Sequence, residues 1–346
     1  MTSTPEGTAP RQKRSLKKGS GLLMVMSGLG FLGFLSVVLW INWPKDRPAA
    51  EPLSPSVRSI VERIPGRSDA LIYLGMKDVR ESRFWKEALP DSLRELPIFE
   101  APGKLQRLMT AASIDPARDV DTLLLSFRKS GYRDQHFLCV ARGPFARKLP
   151  DSLLRQNSRE RADIAGRQCY GLDSALWVCR TAPDEAVLAD SREMLTGYLR
   201  PVGSFLERDS LAAAMIERAV YKSHLWFALP SAAWTSGALK SLTSKNSDVG
   251  ALGNLNRIQH LALSVKLDDA LRAQTEWVYQ TRQAAWFAST FLWVAVKLSA
   301  ISTERTSPET RALLEKISIE QNLESVITQT ELPISLFTNK AAGDKR

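Results

Sequence analysis

The sequence predicts an α+β protein with an N-terminal transmembrane helix and two similar units, each an antiparallel sheet with helices in a β-α-β-β-α-β-like order. Three observations lead to this prediction. An uncharged apolar stretch occupies residues 21–43. Short apolar segments of strand length then alternate with helical segments, and the opening of the second half matches that of the first. A composition with 44% hydrophobic and 24% charged residues is typical of a globular chain.

Residues 21–43 are long enough to cross a bilayer as one helix. They hold no charged side chain over 23 positions, and a helix rising ~1.5 Å per residue covers a hydrocarbon core of ~30 Å in that length. Trp40 and Trp43 lie at the far end, and five basic residues lie between positions 11 and 18. This distribution predicts an uncleaved signal anchor in the inner (cytoplasmic) membrane, with the N-terminus cytoplasmic and the remainder extracytoplasmic.

A G-x-G-x-x-G pattern formed by Gly28, Gly30 and Gly33 falls inside this apolar stretch. Dinucleotide-binding glycines follow a strand and open a helix in water, so the pattern does not predict a cofactor site here. Small residues on a membrane helix instead allow a second helix to approach closely, which makes a homodimer one predicted arrangement.

Pro44, Pro48, Pro52 and Pro55 follow the apolar stretch and predict an extended spacer that lifts the folded region off the bilayer. The predicted divisions are a cytoplasmic basic tail (1–20), the transmembrane helix (21–43), a Pro-rich linker (44–57), a first α+β unit (58–205), a second α+β unit (206–335) and a flexible tail (336–346).

Eight apolar segments are predicted to be strands. They are residues 71–74, 123–127, 137–141, 176–179, 225–229, 261–265, 275–279 and 326–332. Two hairpins are expected, at 121–142 and 257–281. The segment 67–74 aligns with 222–229, and similar elements follow each, which predicts a duplicated unit with helices on one face of its sheet.

One further segment has two interpretations. Residues 283–296 are free of charge between Arg282 and Lys297, and a run of this length is typical of a buried core helix, which we predict. A second membrane crossing by residues 283–300 is the alternative, and it would return the C-terminus to the cytoplasm.

Short motifs between residues 64 and 145 resemble those of a loose group of uncharacterised bacterial single-pass envelope proteins. They are Ile64-Pro65 with Asp69-Ala70, Ile114-Asp115-Pro116 leading to Asp119-Val120-Asp121, and Arg142-Gly143-Pro144-Phe145. The resemblance covers residues 58–335 and implies a bacterial, extracytoplasmic setting with a weakly duplicated α+β unit. It implies no site residues.

The acidic motif has a structural interpretation and a metal-binding one. Asp115 precedes a proline, and Asp119 and Asp121 flank Val120 at a strand entrance, where short polar side chains bind local backbone. Ca²⁺ requires ~6–8 oxygen ligands, and three scattered carboxylates do not define such a loop, so we predict turn formation.

The histidines His136, His224 and His260 each precede or open an apolar segment. This common placement predicts a structural role at strand ends, and no spacing typical of a metal site is present. The S-x-x-K match at Ser126 and Lys129 lies on a predicted strand. Residues three apart on a strand point to opposite faces, so it predicts no nucleophile.

The three cysteines leave a pairing open. Cys169 and Cys179 could meet across a hairpin that turns near Asp173, forming a disulfide in an oxidising compartment with Cys139 left over. Alternatively all three are buried thiols. The tryptophans beyond the apolar stretch are expected to pack in the core.

The functional prediction follows from these features. The net charge of +10 includes a basic N-terminal tail, and no dense basic run interleaved with aromatics follows, so no nucleic-acid partner is predicted. No catalytic, cofactor or metal constellation is recognisable, and we predict none. The sequence therefore favours an envelope binding or scaffolding protein, held by the lipid bilayer through residues 21–43 and acting on a protein partner. An envelope hydrolase assembled only in the fold, and a transmembrane signal regulator, are the alternatives.

Overall fold

A computed structural model describes residues 18–89, 103–130, 134–235, 258–301 and 308–338. The chain divides into two compact units, Met1–Pro44 and Lys45–Arg346. The predicted cytoplasmic tail up to residue 17 and the predicted C-terminal tail from residue 339 lie outside the described residues.

The described residues of the first unit contain one helix, α1 (Lys18–Asn42), of 25 residues. Its side chains are described from Leu29 onward, and most of the large apolar ones are exposed, with Phe34 at 66% and Trp40 at 60%. Ser36 Oγ donates to the Leu32 carbonyl at 2.8 Å, so this polar group is paired within the helix. An exposed apolar helix whose polar groups are paired internally suits a nonpolar solvent.

The second unit contains the remaining elements. Its strands are β1 (Ala70–Leu74), β2 (Thr122–Ser130), β3 (Asp134–Arg142), β4 (Glu160–Ile164), β5 (Arg167–Asp173), β6 (Leu176–Ala182), β7 (Glu185–Ala189), β8 (Leu225–Leu229), β9 (Ile258–Leu267), β10 (Ala270–Tyr279), β11 (Ile317–Asn322) and β12 (Ser325–Pro333). Its helices are α2 (Pro55–Val61), α3 (Met76–Glu81), α4 (Arg83–Ala88), α5 (Gly103–Ala111), α6 (Pro116–Asp119), α7 (Asp151–Asn157), α8 (Arg192–Leu199), α9 (Phe205–Arg208), α10 (Ser210–Arg218), α11 (Arg282–Ile301) and α12 (Pro308–Glu315), with a 3-10 turn at Pro144–Lys148.

The described strands form one twelve-stranded sheet in the order β11-β12-β10-β9-β8-β1-β2-β3-β7-β6-β5-β4. Neighbouring strands run antiparallel throughout, for example Tyr73↔Trp226 between β1 and β8. The α+β class and both predicted hairpins are confirmed, since β2 pairs with β3 and β9 with β10. The predicted strand segments all lie in strands, whereas β4, β5, β7 and β11 were not predicted.

Helices pack on both faces of the sheet, which corrects the prediction that they occupy one face. Val140 and Val187 belong to a core cluster that includes residues of α2, α8 and α10. Their neighbours Ala141 and Ala186 belong to another, with residues of α5 and α7. Successive strand residues point to opposite faces, so these strands are covered on both sides.

The helix α11 differs from the predicted buried core helix. It extends past Lys297 to Ile301, and its buried residues are Ala284, Ala285, Ala288 and Ser289, all in the N-terminal half. Leu298 is 64% exposed. A lysine does not end a helix, so the charge-free run underestimated its length, and only one of its faces meets the sheet.

The Pro-rich segment is docked on the folded region, so the prediction of a free spacer is wrong for its first part. Lys45 N donates to Asn322 Oδ1 at 3.1 Å, and Asn322 Nδ2 donates to the Lys45 carbonyl at 2.7 Å. Arg47 Nη2 lies 3.0 Å from Glu276 Oε1, a carboxylate on β10 that is almost fully buried. Glu51 Oε1 accepts from Lys266 Nζ at 2.8 Å. These contacts fix the chain directly after residue 44.

Candidate functional site

The three histidines lie apart and have different partners. His136 Nδ1 lies 2.7 Å from Asp190 Oδ2, and His260 Nδ1 lies 2.6 Å from the Pro230 carbonyl oxygen. His224 pairs with the neighbouring Ser223 hydroxyl, and burial lowers its pKa. No group of three potential metal ligands occurs among the described residues.

The acidic motif forms structural contacts. Asp115 Oδ1 accepts from the Ala117 amide at 3.0 Å and caps α6. Asp119 Oδ2 accepts from Lys148 Nζ at 2.6 Å, and Asp121 Oδ1 lies 2.6 Å from Arg80 Nη2. The Lys148 ammonium and the Arg80 guanidinium therefore pair with the carboxylates of Asp119 and Asp121 that a calcium ion would need.

Ser126 and Lys129 of the S-x-x-K match are not arranged as a nucleophile and its base. Ser126 is 1% exposed, and its hydroxyl lies 3.0 Å from the Ser68 hydroxyl. Lys129 is at an exposed position of β2. The serine is therefore a packed core residue, as the alternation along the strand predicts.

Cys169 and Cys179 are brought together by the fold. They are direct cross-strand partners in the β5–β6 hairpin, and both are fully buried. The structure holds them as thiols. The Cys179 thiol donates a hydrogen bond to Cys169, which lowers the pKa of Cys169 and raises that of Cys179. Cys139 lies on β3, where burial raises its pKa to about 12.

Glu185, at the start of β7, has a buried carboxylate that pairs with two arginines. It is 4% exposed and accepts from Arg63 Nη2 at 3.0 Å, Arg142 Nε at 2.7 Å and Thr181 Oγ1 at 2.6 Å. The Arg63 guanidinium also lies 4.4 Å from the ring centroid of Tyr198. Burial opposes ionisation of Glu185, but the hydrogen bond from Thr181 and the two arginines outweigh it, so its pKa is lowered.

A buried amine, Lys222, lies beside the docked segment. It is 5% exposed, and its Nζ has no hydrogen-bond partner among the described residues. Burial lowers its pKa to about 8, against the attraction of Glu51 and Glu217. Such an amine is partly neutral near physiological pH, but its burial closes it to a ligand. No sequence motif indicated that this lysine is buried.

An arginine groove, defined by Arg147, Arg167 and Arg180, opens beside the β6–β7 turn with a cavity volume of about 400 Å³. Arg167 Nη1 donates to the Thr181 carbonyl, and Arg180 Nη2 lies 3.5 Å from Asp151 Oδ2. Arg147 is exposed and has no ion pair or hydrogen bond within the described part of the chain. Guanidinium groups bind carboxylate or phosphate with paired hydrogen bonds. No local sequence pattern indicates this groove, because its three arginines come from three separate elements.

Two described helical segments have apolar compositions that bear on membrane contact. By length and composition alone, α11 is long enough to cross a membrane, with 22% of its apolar window buried. The apolar part of α1 whose side chains are described, Leu29–Asn42, is shorter.

No protein-family model and no curated protein matches the chain. Among solved structures, crystal form I of TP0453 is similar with a TM-score of 0.44 and 10% identity, covering 82% of this chain and 96% of that one. Crystal form III of TP0453 has a TM-score of 0.42 at 10% identity and covers 82% and 97% of the two chains. Scores at this level do not establish a shared fold.

Proposed function

We propose that the chain is a membrane-anchored extracytoplasmic binding or scaffolding protein of the bacterial cell envelope. One observation carries the proposal: most side chains of α1 described from Leu29 onward are apolar and exposed, and Trp40 and Trp43 at its end and just after it are 60% and 69% exposed. A surface of this kind is stable in a bilayer and costly in water. The basic residues before it favour a cytoplasmic N-terminus.

The anchor and its orientation are tested together on native membranes. The full chain is expected to stay in the pellet after a carbonate wash. Protease added from the extracytoplasmic side is expected to digest the folded region. Release by carbonate would refute the anchor, and a folded region spared by external protease would refute the orientation.

The proposal includes two duplicated units, 58–205 and 206–335. The strand order supports it, because β1, β2, β3, β7 and β6 follow one another on one side of the β1–β8 pair, and β8, β9, β10, β12 and β11 follow in the same sense on the other. In this comparison β4 and β5 form an added hairpin at one edge.

The arginine groove is the surface that we assign to the protein partner, through acidic side chains. Replacing Arg147 by glutamine is expected to weaken binding of fluorescein-labelled poly-glutamate by about tenfold, because one charge-assisted contact is lost. Fluorescence anisotropy of the full chain in detergent measures this. Arg200→Gln removes the same charge at an exposed position outside the groove and is the matched control. Equal losses in the two variants would contradict the assignment.

An extracytoplasmic location predicts a disulfide between Cys169 and Cys179. Directly opposed residues of antiparallel strands have Cα atoms ~4.5–5.5 Å apart, within the range that a disulfide bridges. Protein denatured without reductant is expected to show one reactive thiol, that of Cys139, and three after reduction. Cys169→Ser should show two thiols in both assays. Three thiols in the unreduced wild-type protein would contradict the prediction.

A further inference from the structure

The helix α11 carries a line of apolar side chains that points away from the folded region. Phe287, Phe291, Val294, Leu298 and Ile301 follow one another at steps of four, three, four and three residues, and they are 48%, 40%, 39%, 64% and 73% exposed. This spacing places them on one face of a helix. We call them the apolar stripe. At ~1.5 Å per residue it is about 21 Å long.

An adjoining face of α11, in its N-terminal half, is committed to the fold. Ala284, Ala285 and Ala288 are buried in a cluster with Tyr279 and Val326 of β10 and β12. The helix is therefore held against the sheet by small side chains. The helix α12 also packs on α11. With every described element in place, the large side chains of the apolar stripe keep 39–73% of their surface exposed.

The start of α11 is linked by hydrogen bonds to the region that holds Lys45, the first residue of the folded unit. Arg282 Nε donates to Glu324 Oε1 at 2.8 Å, in the turn between β11 and β12. This turn follows Asn322, the last residue of β11, which holds Lys45 through two hydrogen bonds. Lys45 follows Trp43 by two residues, which limits their separation to about 7 Å. If α1 crosses a bilayer, α11 begins close to its surface.

The charges of α11 match a lipid surface. The helix has no acidic side chain, and its charged residues are Arg282 and Lys297. Trp293, which is 52% exposed, lies beside the apolar stripe. Apolar and aromatic side chains on one face with cationic side chains at the border are typical of helices that lie in the headgroup region, where anionic lipids attract them.

We propose that the apolar stripe of α11 lies in the outer headgroup and acyl boundary of the membrane that α1 crosses, parallel to its plane. The inference rests on the proposed function, because α1 supplies the bilayer. Lipid contact by the apolar stripe, in addition to the anchor, would determine which side of the sheet faces the membrane. A helix held to the sheet by Ala284, Ala285 and Ala288 lies on a bilayer and does not cross it, since crossing would require a lipid-exposed surface all round.

The test places an environment-sensitive fluorophore on the apolar stripe of the full chain. Leu298→Cys is labelled with bimane after reconstitution into phosphatidylcholine and phosphatidylglycerol vesicles, and lipids with nitroxides in the headgroup or the acyl chain are added. Val202→Cys, at a position 80% exposed between α8 and α9, is the matched control. The unsubstituted chain, with its three buried or half-buried cysteines, gives the background.

Quenching of the label at position 298 by about half or more is expected with headgroup and shallow acyl nitroxides, and little quenching at position 202. Adding Phe291→Glu should reduce quenching at position 298. Absence of quenching in vesicles that retain the protein through a carbonate wash would overturn the inference and leave the anchor intact. Quenching strongest at the bilayer centre would overturn it in favour of a crossing. Disulfide crosslinking between the Leu298→Cys cysteines of two unlabelled chains would overturn it in favour of contact with a second copy.

Discussion

Replacing Glu185 by alanine is expected to lower the free energy of unfolding by about 3 kcal/mol. Removing one member of a buried ion pair leaves its partners without a counter-charge, which typically costs ~3–5 kcal/mol. We expect the low end because the side chains of Arg63 and Arg142 are 30% and 23% exposed and retain some water. Denaturant unfolding of the full chain in detergent, followed by tryptophan fluorescence, measures the change.

Glu193→Ala is the matched control for this variant. The Glu193 side chain is 86% exposed and lies 3.7 Å from Arg128, and a solvent-exposed pair contributes ~0–1 kcal/mol. An equal loss of stability in both variants would show that burial does not increase the contribution of the Glu185 ion pairs to the free energy of unfolding.

The Glu185 contribution should depend on pH in one direction. Its folded-state pKa is lowered, so the stabilisation is complete above the unfolded-state pKa of ~4.3 and is lost as the pH falls through the folded value. The difference in unfolding free energy between wild type and Glu185→Ala should be constant near neutral pH and shrink in acid. A difference that grows on acidification would contradict this sign.

The double substitution Leu32→Arg with Leu35→Arg is expected to abolish membrane retention. Each arginine near the centre of a membrane helix costs ~2.5–3.5 kcal/mol, so the pair costs about 5–7 kcal/mol. Both leucines are exposed on α1, at 59% and 41%. The protein should move from the carbonate pellet to the supernatant.

The conservative pair Leu32→Ile with Leu35→Ile controls for the altered sites and should remain in the pellet. Circular dichroism of the arginine variant should match wild type over the folded region, because residues 45–346 form a separate compact unit. Retention of the arginine variant after carbonate treatment would mean that another part of the chain holds it in the membrane.

The elements that were predicted correctly are those whose own residues show the apolar pattern of a buried strand. β1 and β8 are continuous apolar runs, and β9 and β10 supply the second predicted hairpin. Four strands were missed, and two of them, β4 and β11, are polar. The sequence of β4 is ERADI and that of β11 is ISIEQN, because both lie at the edges of the sheet, where side chains meet water. The other two, β5 and β7, are largely buried, and neither shows an alternating pattern of apolar and polar residues.

The candidate sites depended on contacts that no local pattern encodes. Cys169 and Cys179 were anticipated because a hairpin relates them within a few residues. The arginine groove joins three elements, and the burial of Lys222 depends on residues far from it in sequence. The apolar stripe on α11 illustrates the same limit, since its sequence is apolar on both faces and only the packed sheet decides which face is covered.

The pairing of β1 with β8 at the middle of the sheet bears on how the protein assembles during synthesis. One neighbour of β1 is β2, which is encoded at Thr122–Ser130, but its other neighbour is encoded much further downstream, at Leu225–Leu229. Until that segment emerges, Ala70–Leu74 presents a bare backbone edge able to recruit a wrong strand. The interval between these two segments is therefore when the nascent chain most needs a holding chaperone.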